Sequence, residues 1–107
     1  MRSGHDEAAM NRLVEEAKAR GTCAATGRPF VMVPGHPGAP SPDRLENAYG
    51  YVEGNVQFVM AWLNRARGTS RIEDLEEVGA ITPEVASRYR QWFADWEKRK
   101  AIMKGAA

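Results

Sequence analysis

Side chains able to do chemistry concentrate between Cys23 and Arg71. Arg65, Arg67 and Arg71 bunch directly after Asn64. Guanidinium groups at that density suit phosphate oxygens, and a solvated helix end whose charge favours the helix dipole reads the same way. His36, set between Gly35 and Pro37, has the side-chain pKa nearest neutrality and so suits proton transfer, although an exposed loop histidine without a role fits the same residues. Asp43 follows Ser41-Pro42, where a carboxylate is common turn chemistry. Asn64 alone is a polar residue near a helix end, and Asn55 before Val56 fits a helix N-cap. Cys23, the single cysteine, reads as a small packed residue with nothing around it to activate a thiolate.

These residues fall into an ordered series: Cys23-Ala-Ala-Thr-Gly-Arg-Pro-Phe30, a proline-rich loop, Pro40-Ser-Pro-Asp-Arg-Leu-Glu-Asn47, Gly50-Tyr51, Gly54-Asn55-Val56 and Asn64. The series resembles the phage-type HNH nucleases (the ββα-metal, or His-Me finger, superfamily). Their pattern runs C-x-x-[TC]-G-x-P-F, S-x-D-[RH]-[IL]-[DE]-N, G-Y-x-x-x-N-V and a helix ending in asparagine near N-R-x-[KR]-G. The resemblance covers roughly residues 22 to 68.

It implies a metal-dependent endonuclease of phage or mobile-element type that hydrolyses DNA phosphodiester bonds, with magnesium or manganese held by Asp43 and Asn64. A hard divalent ion on the phosphate and a base to activate water are what that reaction needs, and few protein ligands leave such an ion its waters. Asn55 would bridge backbone groups and hold the hairpin loop against the helix. Arg28, Arg44, Arg65, Arg67 and Arg71 would meet the DNA backbone. Two departures matter. Where many relatives carry histidine after the aspartate, this chain has Arg44, which stays protonated and can clamp phosphate but cannot accept a proton. His36, Glu46, Tyr49 and Tyr51 are the other base candidates; with none of them in the role, the domain is an inactive relative that binds nucleic acid or inhibits a host protein. Secondly, the C-x-x-C pairs of zinc-bearing relatives read Cys23 and Thr26, then Met60 and Leu63. No structural zinc is expected, and Met60 and Leu63 packed near Phe30 would stabilise by burial, at about 1.5–3 kcal/mol per side chain.

The elements that must position these residues read as an α+β, mostly helical single domain over 1–107, with a small ββα core at 22–68 and a helical extension at 69–107. An amphipathic helix over 6–20 carries Leu13, Val14 and Ala17 on one face and stops at Gly21. The apolar run at 30–33 predicts one short strand and 49–52 a second strand or extended turn. Val56, Phe58, Val59, Trp62 and Leu63 predict a helix over 55–67 ended by Gly68. Ile72, Leu75 and Val78 predict a short acidic helix closed by Gly79. Thr82-Pro83-Glu84 starts a last helix to about Lys104, with Val85, Tyr89, Trp92, Phe93 and Trp96 as its apolar stripe.

Bulk properties bound the reading. A net charge of +1 gives no global pull to nucleic acid, so any such pull is local. One cysteine rules out an internal disulfide and suits a reducing cytosol, in a bacterial host if phage-encoded. No stretch has the apolar length of a signal peptide or membrane span, so membrane partners are not expected. The exposed part of the C-terminal aromatic helix would be the interface if two subunits pair, as related enzymes often do.

Overall fold

The computed structural model describes residues 4–106. It is an α+β arrangement, mostly helical: α1 (Gly4–Arg20), β1 (Pro40–Arg44), a single 3-10 turn (Asn47–Tyr49), β2 (Val56–Met60), α2 (Ala61–Arg67), α3 (Ile72–Glu77) and α4 (Pro83–Ala106). The strands form a two-stranded antiparallel sheet in which Asp43 faces Gln57 and Arg44 faces Val56. With α2 following β2 directly, strand, strand and helix are consecutive. No described helix is long and apolar enough to cross a membrane.

Both strands differ from the sequence expectation. Residues 30–33 form no strand. Only Phe30 is buried, while Val31, Met32 and Val33 lie exposed on a loop that turns at Pro34-Gly35 and Pro37-Gly38. The strand instead begins at Pro40. Ala61 donates its N–H to Ala39 and Leu45 donates to Asn55 on either flank of the ladder, so the inward hydrogen-bonding positions of β1 are odd-numbered. Pro40 and Pro42, which have no N–H to give, therefore sit at the even positions that face the unpaired edge. Residues 49–52 are likewise not a strand but the end of the 3-10 turn and a loop.

The helix expected over 55–67 occupies only its second half. Val56, Gln57, Phe58, Val59 and Met60 form β2, buried on both faces except at Gln57. Their β-branched and aromatic side chains suit an extended chain packed on two sides, and such a run fits either period. The helices at each end follow their patterns. Ala9 and Ala17 of α1 are buried, α3 buries Ile72 and Leu75, and α4 is capped where the Thr82 hydroxyl accepts the Val85 N–H at 3.2 Å.

A single core joins these pieces: Ala17 from α1, Cys23 and Phe30 from the first loop, Val59, Met60 and Leu63 from β2 and α2, and Val85, Tyr89 and Trp96 from α4. Cys23 is 1% exposed and its sulfur accepts the Met60 N–H, placing Cys23, Met60, Leu63 and Phe30 in shared apolar packing. α4 thus contributes to the same core as the sheet.

Candidate functional site

The loop between the strands is tied by Asn55, which is fully buried. Its amide oxygen accepts the Glu46 N–H at 2.8 Å, and its amide nitrogen donates to the carbonyls of Glu46 (2.9 Å) and Gly50 (2.7 Å). One side chain therefore fixes both ends of the 46–55 loop and sets where β1 lies relative to α2.

Along β1 alternate side chains face α2 and α4, and Ser41, Asp43 and Leu45 share that face. Two rungs connect strand to helix. In the first, Asn64 donates its amide nitrogen to the Ser41 hydroxyl at 2.8 Å and to the Pro42 carbonyl at 3.0 Å. A carbonyl only accepts, so the amide orientation is forced. In the second, one turn along α2, Arg67 donates Nε to Asp43 Oδ2 at 2.8 Å, Nη2 to Asp43 Oδ1 in a short contact, and Nη2 to the Arg44 carbonyl at 2.7 Å. From α4, the Tyr89 hydroxyl donates to Asp43 Oδ2 at 2.6 Å. Asp43 is 1% exposed and Arg67 8%.

Electrostatics favour the charged form of Arg67 and the neutral form of Tyr89. Burial works against the charge on Arg67, but the hydrogen bonds and charge of Asp43 outweigh it and its pKa is raised. Burial, then the Asp43 charge and hydrogen bond, pushes the Tyr89 phenol well above its ordinary range, so it stays a donor. The Arg67 guanidinium also lies 5.5 Å from the Tyr89 ring centre, a stacking contact with the same residue.

The structure brings Asp43 and Asn64 to one strand–helix seam, yet the divalent ion that the resemblance implies does not fit there. Both Asp43 oxygens are already taken by Arg67 and Tyr89, and Asn64 turns its donor, not its acceptor, to the strand. The cationic position beside the carboxylate is filled from within by Arg67. Among the described residues no three His, Cys, Asp or Glu side chains gather elsewhere as a ligand group.

Arg67, expected to meet the DNA backbone, is largely buried and pairs with Asp43. Arg44, adjacent in sequence, leaves β1 on the opposite face; its guanidinium lies 5.2 Å from the Tyr51 ring centre. The base candidates His36, Glu46 and Tyr49 take part in other contacts. His36 accepts the Gly38 N–H on Nδ1 at 2.9 Å within its own turn. Glu46 receives hydrogen bonds from Lys100 (2.6 Å) and Trp96 (2.9 Å), which together hold its carboxyl below its ordinary range and make it a poor base. Tyr49 packs edge-on against Trp96. Of the surface arginines, Arg28 and Arg65 are exposed and their guanidinium groups pair with no described residue, whereas Arg71 meets Glu73 at 3.0 Å.

Sequence reasoning missed the parts played by Arg67 and Tyr89. The signal for Tyr89 was present, because a phenol in the middle of an otherwise apolar stripe needs a buried acceptor. No family model, curated protein or solved structure matches this chain.

Proposed function

We propose that this chain is an HNH-like DNA-binding domain that grips the phosphate backbone without a divalent ion and does not hydrolyse it. The observation that carries the reading is the Asp43–Arg67 pair. The strand–strand–helix frame and its motif series are present, while the carboxylate that would hold the metal is closed by a guanidinium from α2. Arg28 and Arg65 supply exposed, unpaired positive charge of the kind that displaces counterions from DNA. Arg44, on the outer face of β1, adds a third guanidinium.

The ordered motif series favours a second reading, a magnesium-dependent DNA endonuclease. One experiment separates the two. Fluorescence anisotropy with labelled duplex and branched DNA, in EDTA and in magnesium, is run beside a supercoiled-plasmid cleavage assay. The proposal expects binding that is unchanged by EDTA, weakened in Arg65→Ala, and accompanied by no cutting. Metal-dependent cutting that disappears in Asn64→Ala establishes the nuclease instead. Absence of DNA binding by the folded chain removes both and leaves a protein partner as the target.

A further inference from the structure

The guanidinium of Arg67 has one nitrogen to spare. Nε and Nη2 are spent on Asp43 and the Arg44 carbonyl, and no described residue accepts from Nη1. No buried side-chain nitrogen or oxygen lacks a partner among the described residues, so Nη1 is not fully enclosed. Arg67 also lines a cleft of about 460 Å³ between α2, α3 and α4, together with Thr69, Ser70, Arg71, Glu73 and Arg90 among others.

We infer that this cleft holds one backbone phosphate of a nucleic acid, with Arg67 Nη1 at its base and Arg71 and Arg90 closing over it. Three guanidinium groups and two hydroxyls offer donors from several directions, which suits a tetrahedral anion with several acceptor oxygens. Arg67 is pre-organised: its other edge is fixed to Asp43, so contacting a ligand costs it no side-chain freedom. Arg71 now rests on Glu73 in a solvent-exposed ion pair, and the exposed Arg90 on the half-buried Glu76. Such pairs are weak and exchange readily for a better anion. Glu73 lines the cleft and opposes the ligand, as a removable brake on affinity. The nucleic-acid identity of the occupant rests on the proposed function, whereas the oxyanion chemistry does not.

The test uses the full chain in EDTA. Labelled duplex is titrated at several salt concentrations against wild type, the Arg71→Ala/Arg90→Ala double variant, Glu73→Gln, and Lys98→Ala as a control on the far end of α4. All four substituted positions are exposed, and thermal melting confirms that each variant is folded. The double variant is expected to bind several-fold more weakly and to lose about 0.9 from the slope of log affinity against log salt for the one phosphate released. Glu73→Gln is expected to bind more tightly, and Lys98→Ala to match wild type. In parallel, the Arg67 side-chain resonances are followed by NMR during titration with inorganic phosphate; they should move in wild type and not in the double variant. If wild type binds DNA but the double variant and Glu73→Gln leave affinity and slope unchanged, the cleft is overturned and the DNA-binding reading stands. If wild type binds no DNA, the proposed function fails, and the phosphate titration alone decides the oxyanion site: no movement of Arg67 overturns it.

Discussion

Replacing Arg67 by methionine is the sharpest perturbation the structure offers. The substitution keeps most of the buried stem and deletes every donor of the guanidinium. Asp43, 1% exposed, then keeps the Tyr89 hydroxyl as its remaining side-chain partner, and the Arg44 carbonyl loses a 2.7 Å bond. Removing one partner of a buried ion pair costs about 3–5 kcal/mol, because the other charge stays buried and uncompensated. A chain of this length has a total stability of roughly 5–15 kcal/mol. The variant therefore spends a large share of the whole, and at about 4 °C or more per kcal/mol its melting midpoint should fall by on the order of 15 °C.

The double variant Asp43→Leu/Arg67→Met removes both charges and should recover most of that loss, since apolar replacement of a complete buried pair is often neutral or better. What it does not recover is the Tyr89 hydroxyl, left without an acceptor at about 1–3 kcal/mol, and adding Tyr89→Phe should restore that share. The assay is urea unfolding of the two singles, the double and the triple, read as a double-mutant cycle. Refutation is simple: if Arg67→Met costs less than about 1 kcal/mol, or if the two singles add without coupling, Arg67 is not the countercharge of Asp43 and the argument for a filled metal position fails.

Other expectations follow from neighbouring contacts. Tyr89→Phe alone should destabilise by about 1–2 kcal/mol, seen in the urea midpoint at unchanged slope, because Oδ2 of Asp43 still keeps Arg67 Nε. Asn55→Ala should cost about 2–4 kcal/mol through three lost bonds in a fully buried position, and Asn55→Asp should not rescue it, since a carboxylate cannot donate to the Glu46 and Gly50 carbonyls. Glu46 is held below its ordinary carboxylate range, first by the hydrogen bond from Lys100 and then by that from Trp96. Its contribution is therefore whole above the unfolded value of about 4.3 and is lost as pH falls through the lower folded value, so wild type should lose melting temperature faster than Glu46→Gln between about pH 5 and 3. Finally, saturating magnesium or manganese at 100 times its dissociation constant would stabilise a true site by about 2.7 kcal/mol, so a wild-type melting point that rises by several degrees with either ion would contradict the closed seam.

What the sequence reveals of the fold divides by period. The helices α1, α3 and α4 are legible because their apolar residues recur at helical spacing and their ends carry Gly21, Gly79 and the Thr82-Pro83 start. β1 is not, because Pro40 and Pro42 argue against a strand until it is known that a two-stranded sheet leaves one edge free for them. β2 reads as helix because Val56, Phe58, Val59, Trp62 and Leu63 satisfy a 3.6-residue repeat across what proves to be a strand joined to a helix. At the site, Asp43 and Asn64 are marked by the ordered motifs, and the structure does bring them to one seam. The sequence cannot show that Arg67 turns inward while Arg65, two residues earlier, turns out. That follows from the helix phase set by Leu63, whose burial puts the residue four positions on against the same layer.

A carboxylate buried between a strand and a helix poses one electrostatic problem with two solutions. A divalent ion from solvent can neutralise it and keep open positions for water and phosphate. A guanidinium from the adjacent helix can neutralise it too, always present and independent of metal supply, but its donors are saturated by the carboxylate on one side. Arg67 takes the second course, with Tyr89 completing the shell of Asp43. The consequence is asymmetric. On the proposed reading activation of water would be lost, because an arginine neither lowers the pKa of a bound water as a metal does nor accepts a proton itself. Anion recognition would survive on that reading, because Arg67 still lines the cleft between α2, α3 and α4. A frame of this kind that exchanged its ion for an arginine would retain affinity for a phosphodiester and lose the means to break it.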